Sequence, residues 1–274
     1  GLGDVYKRQH NTLASDNTAV GTGAMRSNLT GHGNAAVGTA SLSSNTDGIY
    51  NVAVGIYAMY DNTSGSGNTA VGSEALNDNT TGDANTAIGW EALLQNTEGA
   101  GNTAVGVGAI ANNITGDDNT ANGVGALSEN TSGYRNTANG AYALMGNESG
   151  NMNVAAGYEA MLFNESGNSN VAIGSYALWY NTDHSNLVAI GDSALFNNGR
   201  GILTNPVFAT GNVAIGSKCL VSNISGYHNT ATGFEASFHN ADGTKNTALG
   251  YRSAYSNISG TKNTAIGMYA LYFN

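Results

Sequence analysis

Hydrophobic and polar positions recur along this chain on a single beat. Aligned on the glycine that closes each N-T-A-V-G phrase, the sequence gives Gly21, Gly38, Gly55, Gly72, Gly89, Gly106, Gly123, Gly140, Gly157, Gly174, Gly191, Gly216, Gly233, Gly250 and Gly267, spaced by 17 residues at every step but one of 25. A short fixed period marks a repeat protein, whose coils bury their apolar positions only by stacking on neighbours. With Asn85 to Gly101 as the reference copy and Asn85 as slot 1, the fifteen copies become a substitution series inside one molecule. Slot 3 is Ala, slot 5 Gly and slot 12 Asn in every copy. Slot 2 is Thr or Val in all copies but one, and slot 4 is Val, Ile, Leu or Ala in twelve. Such residues favour a pleated strand, so slots 1 to 5 are read as one. Alternation puts slots 2 and 4 on one face and slots 1, 3 and 5 on the other. Neither face is strongly polar, so both are expected to be covered, as in parallel sheets. Slot 8 is always small and slot 9 is Leu, Ile or Met in thirteen copies, a pair that returns the chain to the core.

Slots 6 to 12 leave two readings open. Runs such as Trp90 to Asn96 and Tyr158 to Asn164 use good helix formers, which allows a helical turn. Stacked strands lie about 4.8 Å apart, however, whereas packed helices need about 8–10 Å, so helical turns would force the array to curve or several chains to interleave. Asn at slot 12 followed by Gly at slot 15, with His184 the internal exception, is expected to supply side-chain hydrogen bonding and a left-handed backbone position for a turn. The expected fold is all-β or β-rich. It is a parallel β-solenoid (β-roll) of about fifteen 17-residue coils, each a short strand plus a turn or short helical turn.

Residues 1–10 fit no slot and read as a leader foreign to the fold, without the apolar core of a signal peptide. Residues 11–274 form one repeat array, with an inserted loop at about 199–211 that carries the only proline, Pro206. Insertions in repeat proteins map to loops and serve either as binding elements or as tolerated decoration. At slot 4, Asn122, Asn139 and Ala156 break the apolar file together, which is read as a polar patch in the core ladder: an amide ladder, a buried water, or a small ion or ligand pocket. The last copy stops at Asn274 in the regular pattern. An uncapped edge of this kind is expected to make the chain part of a longer protein or filament and to drive end-to-end association.

Charge narrows the function. A net charge of −10 with a pI near 4.7 argues against nucleic acid and against an anionic membrane surface, and no apolar run is long enough to span a bilayer. The lone Cys219 sits in the small slot 8 as a buried residue and implies no disulfide framework. His10, His32, His184, His228 and His239 occupy unrelated slots, so neither a metal nor another cofactor is expected. Glu74 with Glu91, and Asp61 with Asp78, share slots in successive coils and read as a solvated edge rather than a catalytic pair; the chain is not expected to be an enzyme. Asn-x-Ser/Thr recurs at slots 12 to 14 in nine copies, as at Asn79 and Asn164, where turn chemistry outweighs glycosylation. Seventeen of the twenty-two aromatic residues occupy slots 6, 7, 10 and 11 and form a lateral surface. Trp179, Phe196, Phe238, Tyr255 and Tyr272 recur at slot 10, as a partner-chain interface, as rings stacked within the molecule, or as a sugar-binding platform.

The phrase N-[TV]-A-[VI]-G-x-x-A-L resembles the N-S-V-A-I-G-x-x-A repeats in head domains of trimeric autotransporter adhesins and the NTAVG-type repeats of phage tail-fibre-like proteins. The resemblance covers nearly the whole chain after Gln9, and the chain departs from it in its longer period, in its Leu-x-x-Asn segment, and in the lack of a neck, stalk or anchor. It implies a left-handed parallel β-roll that trimerises through its small-residue strand face, located outside the cell, at its surface or in a virion tail fibre. The expected function is therefore a non-enzymatic structural or adhesive fibre segment. Its partners would be further copies, as a lateral trimer or an end-to-end filament, and a host-surface glycan or protein. The alternative is a ligand-binding solenoid that takes glycan through its aromatic residues, or ice through the Thr of slot 2.

Overall fold

The computed structural model describes residues 14–201 and 208–273. The leader, residues 202–207 of the inserted loop and Asn274 lie outside the described residues. Contacts divide the chain into two compact units, Gly1–Arg135 and Asn136–Asn274. The first holds β1 (Thr18–Val20), β2 (Ala35–Val37), β3 (Val52–Val54), β4 (Thr69–Val71), β5 (Thr86–Ile88), β6 (Thr103–Val105) and β7 (Thr120–Asn122). The second holds β8 (Thr137–Asn139), β9 (Val154–Ala156), β10 (Val171–Ile173), β11 (Val188–Ile190), β12 (Val213–Ile215), β13 (Thr230–Thr232), β14 (Thr247–Leu249) and β15 (Thr264–Ile266). Each strand is slots 2 to 4 of one coil. Within each unit it pairs in parallel with the next strand, slot onto slot, as Thr86 with Thr103 and Val171 with Val188. Each unit is thus a parallel β-solenoid with one strand per 17-residue coil.

The ladder does not stop at the strand. In coil 5 (residues 85–101) the amides of Glu91 and Gly101 reach back to Ser73 O and Asp83 O in coil 4, at 3.1 and 3.0 Å. Those of Leu93 and Gln95 reach forward to Ala109 O and Ala111 O in coil 6, at 3.0 and 2.8 Å, and Thr97, Glu98 and Gly99 converge on Ile114 O. Only Ala92 and Asn96 make bonds inside the coil, to Gly89 O and Leu93 O, and both are i to i−3. This resolves slots 6 to 12. The corner is a series of turns with no helix, because backbone groups that a helix would consume internally are committed to the neighbouring coils.

Alternation in sign of φ is how the corner achieves this. Residues at slots 7, 9 and 17 sit in the left-handed region whatever their side chain, as Glu91 (φ 56), Leu93 (φ 52) and Ala84 (φ 56) do. The glycine at slot 15, expected to be the left-handed one, is not. Its small size is needed instead for close approach: a Cβ on Gly99 would lie 2.5 Å from both Asn96 Oδ1 and Gly116 O. Slot 5 is constrained on both counts, since Gly89 has φ 135 and a Cβ there would lie 2.5 Å from Gly106 O.

The interior is thin. Asn85, Ala87, Ala92, Leu93 and Asn96 are all fully buried, so a coil contributes one large apolar side chain, two alanines and two amides. When slot 8 is Ser, as at Ser41 and Ser253, its hydroxyl donates to the slot-5 carbonyl at 3.1 Å. Cys219 at the same slot is buried, and its thiol donates to Ala231 O. Burial pushes that thiol's pKa up to about 12, an unreactive state.

Three further expectations are corrected by this cross-section. The strand is covered on one side only: slots 1 and 3 are buried, whereas Val54, Val71 and Ile88 at slot 4 are 38–41% exposed. A coil this narrow has its own slots 8 and 9 packed against slot 3, which leaves nothing of the same coil to cover slots 2 and 4. For the same reason Asn122 and Asn139 are exposed on the outer face rather than stacked in a core ladder. The small-residue face, expected to trimerise, is the inside of the coil.

Ala104 at slot 3 has no accessible surface. Ala104→Leu should therefore overpack the first unit and cost about 1–3 kcal/mol or more, while Glu98→Gln on the exposed corner should leave the melting temperature unchanged. Equal thermal melts for the two variants would contradict the assignment. Asn96→Ala should be more damaging than its size suggests. It deletes bonds to Asn79 Oδ1 (2.8 Å) and Gly99 O (2.9 Å) and removes one of the two acceptors of Asn113 Nδ2, which keeps its bond to Gly116 O, at about 1–3 kcal/mol for each buried group left unpaired. Urea denaturation followed by circular dichroism would measure the loss.

Candidate functional site

What the fold presents to its surroundings is set by which slots point outward. Slots 2 and 4 make two files of side chains, about 6.6 Å apart along each strand and about 4.8 Å apart between coils. In the first unit the slot-4 file is Val20, Val37, Val54, Val71, Ile88, Val105 and Asn122. Most of it is more than a third exposed, from Val71 at 38% to Val20 at 56%. In the second unit Ile173 and Ile215 are exposed to a similar degree, and Leu249 more so. None of the slot-2 or slot-4 positions carries a charge; they are Val, Ile, Leu, Ala, Thr and Asn. The face is therefore uncharged and regular on a chain whose net charge is −10.

Trp179, Phe196, Phe238, Tyr255 and Tyr272, five of the six slot-10 aromatics, are half-buried and stack on each other where they are consecutive. Trp179 lies on Phe196 with centroids 5.1 Å apart and planes 10° apart. Tyr255 lies between Phe238 (5.3 Å, 18°) and Tyr272 (5.0 Å, 4°). Trp179 is also edge-on to Phe163 and Tyr180, and its Nε1 donates to Glu159 Oε2 at 2.9 Å. Of the three readings of these residues, the geometry matches stacking within the molecule. A sugar ring packs against an open aromatic face, and the Tyr255 faces are taken by its neighbours. Slots 6 and 7 add a second set, with Tyr158 edge-on to Tyr142 and Tyr176, and Phe234 stacked on Tyr251 at 5.6 Å.

Charged groups lie on the corners. Arg252 Nε donates to Glu235 Oε2 at 2.6 Å, and this contact holds the guanidinium charged to higher pH than usual. Tyr158 has its phenol pKa pushed up to about 12, chiefly by its hydrogen bond to Glu159. The Asp78 carboxyl pKa is raised by partial burial and by the neighbouring Asp61 and Glu74. Among the described residues no three His, Cys, Asp or Glu side chains come together as a metal site, and no helix is long and apolar enough to cross a membrane.

The Asn-x-Ser/Thr sites lie at the centre of the coil. Asn79 and Asn164 are fully buried, and each side-chain amide donates both to the preceding coil's Asn and to its own slot-15 carbonyl. A glycan could not be attached there in the folded chain. No protein-family model matches the chain, and no curated protein matches it.

Tyr255→Ala should cost about 1–3 kcal/mol or more, since it breaks two stacked ring pairs worth roughly 0.5–1.5 kcal/mol each, besides an edge-on contact with His239. The same change at Trp90, which is 53% exposed, should cost less. Thermal melts of the two variants would rank them.

Proposed function

We propose that this chain is a non-enzymatic structural segment of an extracellular or cell-surface fibre, and that it associates side by side with further copies of itself through the slot-2 and slot-4 face. The observation that carries the reading is that face: solvent-exposed, β-branched, regular from coil to coil and free of charge. Parallel sheets are ordinarily covered on both sides, and the coil covers only one. Two such faces meet without bringing charges together. Self-complementary contact between copies is the commonest way such a patch is buried. The interior supports a structural role too, since its amides are committed to stacking. Adhesive contact with a host-surface glycan or protein would fall to the variable corner slots, including the aromatic surface.

Val71→Lys combined with Ile88→Lys tests this reading. Both side chains point away from the core, so the circular dichroism spectrum should be unchanged. The solution mass from light scattering should fall from a multiple of 27.9 kDa to that of one chain. A wild-type chain that is already single at tens of micromolar overturns the lateral assembly. If that single chain shapes ice crystals, the face orders water through its Thr file instead. If it binds a glycan array and loses binding on Phe238→Ala, the aromatic surface is the functional one.

A further inference from the structure

At one junction the array departs from its pattern at four positions together. At the junction of coil 10 (residues 170–186) and coil 11 (from Leu187), slot 15 holds His184 in place of Gly and slot 1 holds Leu187 in place of Asn. Slot 13 of coil 11 is Gly199, and the slot-15 carbonyl of coil 11 is supplied by Ala209, after the extra residues. The backbone of His184 still obeys the rule: its carbonyl accepts Asn170 Nδ2 at 2.9 Å and Asn181 Nδ2 at 3.0 Å. Its ring lies against Gly199 of the next coil. A Cβ on Gly199 would lie 2.5 Å from His184 Nδ1, which explains the glycine.

The ring has replaced part of the ladder. Glu165, Ser166 and Gly167 of coil 9 converge on Thr182 O at 2.7, 3.0 and 3.4 Å. Among the described residues, the matching bonds from coil 10 onto Gly199 O are not made. The Asn file is stretched at the same level, with Asn198 Nδ2 at 3.5 Å from Asn181 Oδ1. The His184 side chain is 2% exposed, and its Nδ1 has no hydrogen-bond partner, although Asp183 Oδ1 lies 3.0 Å away. A core that elsewhere holds itself together with neutral amides and methyl groups here contains an imidazole.

We propose that the junction of coils 10 and 11 is an acid-sensitive joint, at which protonation of His184 loosens the contact between the two coils while coils elsewhere stay closed. Burial opposes a charge on this ring, and Asp183 opposes burial in part; burial wins, so the group's pKa is lowered. A histidine with a lowered pKa in the folded state contributes its full stability above the unfolded value near 6.5. It loses that contribution as pH falls below this value toward the folded pKa. Asp183 is the charged group acting on the ring from its own coil. Glu165 stands at slot 13 of coil 9, and Arg200 at slot 14 of coil 11 has its guanidinium 4.4 Å from the Tyr180 ring. Residues 202–207 include no titratable side chain.

Amide hydrogen exchange on the full chain, corrected for intrinsic rates, at pH 7.5 and 5.5 tests the joint. The amides to follow are Leu178 and Tyr180, which bond across it to Ala194 O and Phe196 O, and the references are Thr69 and Leu76 in the first unit. Protection of the first pair should fall severalfold more than that of the references on acidification. His184→Gln should remove the excess. Asp183→Asn should enlarge it, because the favourable carboxylate is lost. His228→Gln, at the imidazole beside Gly211, should leave it unchanged. Equal pH responses at the joint and the references would overturn the proposal, as would an undiminished response in His184→Gln or a smaller one in Asp183→Asn.

Discussion

Among the described residues, every coil but the eleventh and the last closes on one carbonyl oxygen. In coil 5, Gly99 O accepts Asn96 Nδ2 at 2.9 Å and Asn85 Nδ2 at 2.8 Å, so the corner and the start of the strand are tied to the same atom. The two side-chain oxygens then hold the next coil, Asn96 Oδ1 through Asn113 Nδ2 at 2.6 Å and Asn85 Oδ1 through the backbone amide of Asn102 at 2.9 Å. One buried primary amide thus bonds within its coil and to its neighbour, and a buried amide that did neither would be costly. Asp lacks the donor and Gln has an extra methylene, so neither fits the arrangement. Leu187 stands in slot 1 only where the acceptor of that coil has moved to Ala209, which Asn198 and Asn212 then serve.

The amide corner sets the size of everything else. Two amide files and the slot-15 backbone take up much of the cross-section, leaving room for alanine at slots 3 and 8 and one larger side chain at slot 9. Glycine at slots 5 and 15 follows from the same crowding, since coils stacked at strand spacing bring like backbone atoms into contact. A coil built this way cannot satisfy itself, because most of its amides and acceptors face up or down the stack. Stability therefore lies between coils rather than within them, as expected of a solenoid. A weak junction is a local property of the two coils that meet there, which is why four exceptions can gather at coils 10 and 11 while the coils on either side keep the rule.

Period, strand position, the slot 8 and 9 return and the place of the insertion were all legible in the sequence, because each leaves a mark repeated fifteen times. The orientation of the strand was not. Slots 2 and 4 hold the β-branched residues, and apolar content alone suggested that both faces were covered. The better signal lay in the variation: slot 2 exchanges Thr for Val and slot 4 exchanges Val for Asn or Thr, whereas slot 12 never varies and slot 1 varies once. In a coil whose interior is held by amides, the invariant polar residue is inside and the exchangeable apolar one is outside. The corner was left open between a turn and a helical turn for a different reason. Leu, Glu and Ala favour a helix, but the helix would have withdrawn amides that the next coil needs, and inter-coil bonding overrode local preference at Glu91 and Leu93. The aromatic surface was placed on the right slots, but whether its rings would pair with each other or with a partner depends on ring orientation, which slot position does not encode.

Folding explains the constraint on the inner slots, but it does not fully explain the outer ones. Strand preference favours Val, Ile and Thr at slots 2 and 4, and accounts for much of the composition there. It does not exclude charge: a side chain pointing into water from a strand tolerates Lys, Arg or Glu, and exposed strand positions commonly use them against unwanted pairing. The corners of the same coils carry Glu74, Asp83, Glu98, Asp117 and Lys245. Across fifteen strands the outer face carries none, in either compact unit. A position that the fold leaves free and that still refuses charge is restricted by something other than the fold. That restriction is confined to two adjacent files on the outer strand face of each unit, so the search for function belongs there before the more conspicuous aromatic rings.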